Sequence, residues 1–214
     1  MTPREIYSHV DHTLLRPEAT WEQVRVLCDE AVKHSTASVC INPGFVKEAA
    51  DYLAGRIPVC TVIGFPLGAT TCESKLFEAK QALANGAAEF DMVINIGALK
   101  AGDTAFARKE IEALRAALPG KILKVIVETC LLTNDEKRRM CDIVCAAGAD
   151  YIKTSTGFSS GGATFADVEL LARAAGGRCG VKASGGIKSV ADMRRYLEIG
   201  ARRLGTSSAV QLLG

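Results

Sequence analysis

Short apolar segments of strand length recur along this chain, each followed by a helical pattern, and that alternation limits the fold more than any other feature. The strand candidates are Val10–Leu14, Ala37–Ile41, Val59–Ile63, Phe90–Ile96, Ile122–Glu128, Tyr151–Ser155, Gly180–Ser184 and Arg203–Thr206. Helix starts between them carry their own signature. Thr20-x-x-Gln23, Thr70-x-x-Glu73 and Thr133-x-x-Glu136 read as capping boxes, with Thr164-x-x-Asp167 and Ser189-x-x-Asp192 as weaker forms. In each, a side-chain oxygen meets an N–H that the first helical turn leaves unpaired. Val24, Leu27, Cys28 and Ala31 keep helical spacing after Thr20. Ile111, Leu114 and Leu118 keep it up to Pro119-Gly120, which ends that helix.

Eight strands with seven intervening helices and a short terminal helix fit a (β/α)8 (TIM) barrel, an α/β fold. No linker or low-complexity tract divides the 214 residues, so one domain over residues 1–214 is expected. An open doubly wound sheet is the rival, but no Gly-x-Gly-x-x-Gly follows the first strand.

The composition is 48% apolar and 23% charged with a net charge of +2, and basic residues form no tract. That gives no electrostatic case for nucleic acid or an anionic membrane surface. Residues 1–15 hold no apolar run of signal-peptide length and already carry Arg4, Glu5 and Asp11. No run approaches membrane-spanning length. A cytoplasmic location is expected, with the eight cysteines reduced and mostly buried. Cys141 and Cys145 are the one close pair, at i,i+4. No Cys-x-x-Cys or His-x-x-x-His pattern suggests a metal site.

Lys153 and Lys182 lie inside segments expected to be buried strands. An ammonium group there must be paired, deprotonated or functional, because leaving water is costly. Side chains alternate faces along a strand. If Lys153 points into the barrel, so do Tyr151 and Ser155, with Lys182 and Ser184 on the next strand. Asp91, Val93 and Asn95 would share the inner face of the fourth strand, and Lys124, Ile126 and Glu128 that of the fifth. The expected interior is then one carboxylate and three lysines. A buried salt-bridge network is the alternative reading, and that excess of cations counts against it.

Neighbouring strands lie about 4.8 Å apart. Two inward ammonium groups ~6 Å apart at an effective dielectric of ~20 repel by roughly 2.8 kcal/mol, enough to move a lysine by about 2 pKa units. A free amine adds to carbonyls and forms a Schiff base. A carboxylate such as Asp91 can relay the protons that addition and dehydration require. Asp91 can equally serve as an ion-pair partner of Lys124 or Lys182, and the two roles are compatible.

Ser184-Gly185-Gly186 and Gly205-Thr206-Ser207-Ser208 follow the last two strand candidates. Glycine admits close backbone approach, and barrels commonly bind phosphate after strands seven and eight. Ser159-Ser160-Gly161-Gly162 reads as a flexible connection or a mobile cover.

With these residues placed, the chain resembles the deoxyribose-phosphate aldolases, a family of class I aldolases. The matching pieces run in order from Asp11-His12-Thr13-Leu14-Leu15 and Val39-Cys40-Ile41-Asn42-Pro43 through Glu89-Phe90-Asp91 and Leu123-Lys124. The most specific are Lys153-Thr154-Ser155-Thr156-Gly157 and Lys182-Ala183-Ser184-Gly185-Gly186. The resemblance implies reversible cleavage of 2-deoxy-D-ribose 5-phosphate to D-glyceraldehyde 3-phosphate and acetaldehyde, with no metal or organic cofactor and commonly as a homodimer. It implies Lys153 as the Schiff-base lysine, Lys182 as its tuning partner and proton shuttle, and Asp91 as proton donor or acceptor. Gly185, Gly186, Gly205, Ser207, Ser208, Thr154 and Gly157 are expected at the phosphosugar, with Lys124, Asp11, Thr13 and Cys40 in support. Phe158 departs from the lysine that some relatives carry there, which bears on phosphate affinity. A different Schiff-base barrel enzyme, such as another phosphosugar aldolase or a transaldolase, and a non-catalytic phosphosugar-binding barrel remain open as rivals.

Overall fold

The computed structural model describes residues 1–214. Eight parallel strands pair in chain order and close on themselves. They are β1 (Val10–Leu14), β2 (Ser38–Ile41), β3 (Val59–Ile63), β4 (Glu89–Val93), β5 (Ile122–Ile126), β6 (Tyr151–Lys153), β7 (Gly180–Ser184) and β8 (Arg203–Thr206). Closure runs through β1 and β8, where Asp11 registers with Gly205 and His12 with Thr206. That pairing makes the sheet a (β/α)8 barrel and excludes the open doubly wound alternative.

The helices are α1 (Pro3–Tyr7), α2 (Trp21–His34), α3 (Val46–Leu53), α4 (Cys72–Ala84), α5 (Ile96–Lys100), α6 (Thr104–Ala117), α7 (Asn134–Ala146), α8 (Phe165–Ala175), α9 (Val190–Glu198) and α10 (Ala209–Leu213). The caps explain most of their starts. Thr133 closes a full box with Glu136, and Thr20 N–H donates to Gln23 Oε1 at 3.0 Å. Thr164 and Ser189 accept from the N–H groups of Asp167 and Asp192. For α4 the cap is Thr71, one residue later than the Thr70 expected from the box pattern. Thr71 Oγ1 accepts from Ser74 N–H, which leaves Glu73 inside the first turn.

Apolar strand residues facing outward meet the helices. Phe90, Met92, Leu123, Val125, Ile152, Val181 and Leu204 pack with Val24, Ile111, Leu114, Met140, Val144 and Leu171 in one continuous buried layer. No helix is long and apolar enough to cross a membrane.

Three strands end earlier than their apolar runs suggest. After β4, Asn95 leaves the sheet and caps α5, its Oδ1 accepting from Ala98 N–H at 3.0 Å. After β5, Glu128 takes a left-handed backbone (φ 56°), so the chain turns before it. After β6, Thr154 bridges to β7, donating to Ser184 O and accepting from Ser184 N–H. Each segment stays apolar because it is buried, yet its polar side chain turns it into a loop.

Candidate active site

The barrel interior is charged, and Asp91 sits at its centre. Its Oδ2 accepts from Lys153 Nζ at 2.8 Å and from Lys182 Nζ at 2.6 Å. Its Oδ1 accepts from Lys124 Nζ at 2.9 Å and from Cys60 Sγ at 3.2 Å. Lys182 also bonds Asp11, Lys124 also reaches Glu89 at 2.6 Å, and Arg203 joins Asp11 to Glu89. All of these side chains are buried. Lys153 and Lys182 are register partners on β6 and β7, so they face the same way. Sharing one oxygen, their nitrogens lie no farther apart than two hydrogen bonds end to end.

The expectation of one carboxylate against three lysines is corrected by this array. Asp11, Glu89 and Asp91 face Lys124, Lys153, Lys182 and Arg203, an excess of a single cation. Glu89 escapes a reading that starts the strand at Phe90, although it stands two residues from Asp91 on the same face. Arg203 shares a face with Gly205 by the same period.

Burial disfavours the ionised form of Asp91, but Lys124, Lys153 and Lys182 outweigh it and hold the carboxyl well below the ordinary carboxylate range. Burial likewise opposes charge on Lys182, and Asp11 with Asp91 overcomes it, holding Lys182 above an ordinary lysine. Lys124 is held up in the same way by Asp11 and Asp91. Lys182 is therefore a fixed ammonium at neutral pH, and Asp91 a fixed anion.

A cleft of about 760 Å³ opens at the C-terminal ends of the strands. Of the seven charged interior groups, Lys153 alone lines it. Thr13, Gly157, Gly185, Gly186, Gly205, Ser207 and Ser208 line it as expected. Gly185 and Gly186 hold left-handed backbones (φ 78° and 75°), and a Cβ on Gly162 would stand 2.5 Å from Gly185 C. This tight glycine crossing brings bare backbone to the cleft wall.

Besides Asp91 and Lys182, four expected site residues do not reach the cleft lining. Thr154 is used in its bridge to β7, as its outward position in the two-residue period requires. Cys40 is fully buried with Leu15, Cys60 and Val62. Asp11 and Lys124 lie within the charged layer, outside the cleft lining.

Other lining residues went unpredicted. Arg16 is the one guanidinium among the lining residues. Thr156 lines it too, held by Glu128, whose Oε2 accepts from Thr156 Oγ1 at 2.5 Å. Glu128 does so from its left-handed conformation, a signal invisible in a run of apolar neighbours. Phe158 stands at the rim, edge-on to Phe65 with ring centroids 5.2 Å apart, and offers no charge.

Such a barrel, with one amine open to the cleft and the rest of its charge buried beneath, belongs among the (β/α)8 enzymes whose sites lie at the strand C-termini. Residues 6–209 match the DeoC/LacD family aldolase description. The chain is 51% identical over 210 residues to a deoxyribose-phosphate aldolase of Clostridioides difficile, covering 98% of this chain and 96% of that one. A deoxyribose-phosphate aldolase of Brevibacillus brevis is 53% identical over 206 residues, covering 96% and 93%. Among solved structures, the tetrameric deoxyribose phosphate aldolase of Aeropyrum pernix superposes with a TM-score of 0.91 at 35% identity, covering 99% of this chain and 91% of that one. The chain belongs to the DeoC/LacD aldolase family.

Proposed function

We propose that this enzyme reversibly cleaves 2-deoxy-D-ribose 5-phosphate to D-glyceraldehyde 3-phosphate and acetaldehyde through a Schiff base on Lys153. The observation that carries the reading is that Lys153 is the one amine of the charged interior open to the cleft. Loss of its proton also brings the interior to charge neutrality, since the cations exceed the carboxylates by one.

The neutral amine adds to the aldehyde carbon C1 of the open-chain sugar, and loss of water gives an iminium ion. Acetaldehyde takes C1 and C2, so the bond that breaks is C2–C3. Its electrons move toward the iminium nitrogen, the C3 hydroxyl gives up its proton, and C3 to C5 leave as the aldehyde phosphate. Protonation of the remaining enamine at C2 and hydrolysis release acetaldehyde and restore the amine. Asp91 is ionised between steps. It orients Lys153 and Lys182 and accepts protons only transiently, with water carrying them to and from the substrate. Lys182 supplies positive charge beside the carbinolamine oxygen. Gly185, Gly186, Ser207 and Ser208 hold the phosphate, with Arg16 at the rim.

Borohydride with acetaldehyde tests this reading. The enzyme should lose activity and carry a reduced two-carbon adduct on Lys153 in peptide mass analysis. Inactivation with Lys153 unmodified would reject the assignment. Gly205 adds a second check. A Cβ there would lie 2.8 Å from Ser184 Cβ and 3.1 Å from Lys182 Cε. Gly205→Ala should displace the Lys182 amine and lower kcat by about 10²-fold, the usual cost of misplacing a reacting group by about an ångström. Unchanged turnover would show that Lys182 has no positional role.

The working unit in this reading is a single barrel of residues 1–214, acting in the cytoplasm as a homodimer. All eight cysteines are unpaired, which suits a reducing compartment. Exposed Leu67 and Phe77 offer apolar surface for a second copy.

A further inference from the structure

Away from the cleft, the fold gathers three cysteines that the sequence keeps apart. Cys141 and Cys145 stand one turn apart on α7, and Cys179 immediately precedes β7. Their sulfurs all lie within 4.8 Å of one another. Cys179 enters its strand from the N-terminal end, so the cluster sits at the end of the barrel opposite the cleft. Cys141 and Cys179 are buried, whereas Cys145 is half-buried and gives a path from solvent.

The surroundings suit a cation bound by sulfur. No carboxylate oxygen or imidazole nitrogen completes the group within the same range. Asp142, the nearest acid in sequence, is engaged by Arg178 at 2.6 Å. The Arg178 guanidinium, tied to Ala174 O and Ala175 O, feels Cys141 and Cys145 directly. It would offset negative charge that builds up on the sulfurs. Sulfurs bound to one metal ion at about 2.3 Å sit roughly 4 Å apart, so a small contraction of this cluster would suffice.

We infer that Cys141, Cys145 and Cys179 form a binding site for one soft, thiophilic cation, held by three thiolates and independent of the aldolase cleft. Thiolate ligands select soft metal ions over the hard cations that carboxylates prefer. Each S–H gives its proton to solvent as its sulfur bonds the cation, so uptake releases three protons per ion. Thiols bind a metal ion as thiolates, so binding tightens as pH rises. A bound cation would tie α7 to the segment that leads from α8 into β7.

Cd²⁺ alone is the probe, added to the reduced full chain. The expected result is one equivalent bound with a thiolate-to-metal ultraviolet band and proton release to the buffer. Cys145→Ser and Cys179→Ser should each weaken binding at least tenfold, while Cys130→Ser, at an exposed cysteine outside the cluster, leaves it unchanged. Circular dichroism and aldol turnover report whether the variants remain folded. In the unaltered chain, Cd²⁺ should shield Cys145 from alkylation and leave Cys130 reactive, a readout that needs no substitution. Equal alkylation of Cys145 with and without Cd²⁺, or full binding by both serine variants, would overturn the inference.

Discussion

Lys153→Ala should remove essentially all aldol cleavage, a loss of roughly 10⁴-fold or more in kcat/KM, while leaving the fold intact. The kinetic part follows from covalent catalysis. Without the amine there is no iminium, and the electrons of the C2–C3 bond have no cationic sink. The structural part follows from the charge count. Taking away Lys153 leaves Lys124, Lys182 and Arg203 against Asp11, Glu89 and Asp91, a balanced interior. Breaking a buried pair is harmful when it strands a charge. Asp91 keeps Lys124, Lys182 and Cys60 as partners, so no charge is stranded here. Thermal unfolding should therefore shift little. Lys153→Arg separates the two roles of the side chain. It retains a cation beside Asp91 yet cannot form an imine, so it too should be inactive and untrapped by borohydride. Trapping of either variant, with the adduct found on Lys182, would exchange the roles of the two lysines.

How far the sequence displays this site depends on what kind of information each residue carries. Lys153 and Lys182 are legible because a lysine inside a short apolar run has few innocent explanations, and the two-residue period then aims both at one face. Their register pairing confirms that geometry. Asp91 is legible for the same reason. Glu89, Asp11 and Arg203 are harder, since each stands at or near the start of its strand, where a charge ordinarily reads as solvated. The true interior is nearly balanced because of those three. Crowding between two amines is consequently only part of the electrostatics, and the carboxylates that hold Lys182 charged are the rest. The strand ends after Ile126 and Lys153 are set by tertiary partners of Glu128 and Thr154, which no local pattern announces, whereas the end after Val93 is set locally by the Asn95 cap. The sulfur cluster is hidden for a related reason. Helical spacing pairs Cys141 with Cys145, but only barrel closure brings Cys179 beside them.

Asp91→Asn should show the opposite balance of effects, a large loss of stability together with a large loss of rate. The asparagine is nearly isosteric but leaves four buried cations facing two carboxylates, with Lys153 deprived of its one ion-pair partner. Removing one member of a buried ionic group typically costs about 3–5 kcal/mol. Denaturant unfolding at neutral pH should register a deficit of that order. Its pH dependence has a definite sign. The folded pKa of Asp91 is depressed, so its contribution is complete above the unfolded value near ~4 and fades as pH falls through the folded one. Lys182 has a raised folded pKa, so its contribution is complete below ~10.4 and fades as pH climbs through the folded value. The gap between variant and parent should thus be widest between about pH 4 and 10 and narrow in acid, where the parent also loses the interaction. The rate should drop by about 10²–10⁴-fold, the range for a group that manages protons in the transition state. Borohydride trapping with acetaldehyde then separates the electrostatic roles. An anion beside Lys153 favours its charged form, so Asp91→Asn should lower the pH at which trapping sets in. Lys182→Met removes a neighbouring cation and should raise it. If both substitutions move the onset in the same direction, or neither moves it, the shared Asp91 oxygen does not couple the two lysines.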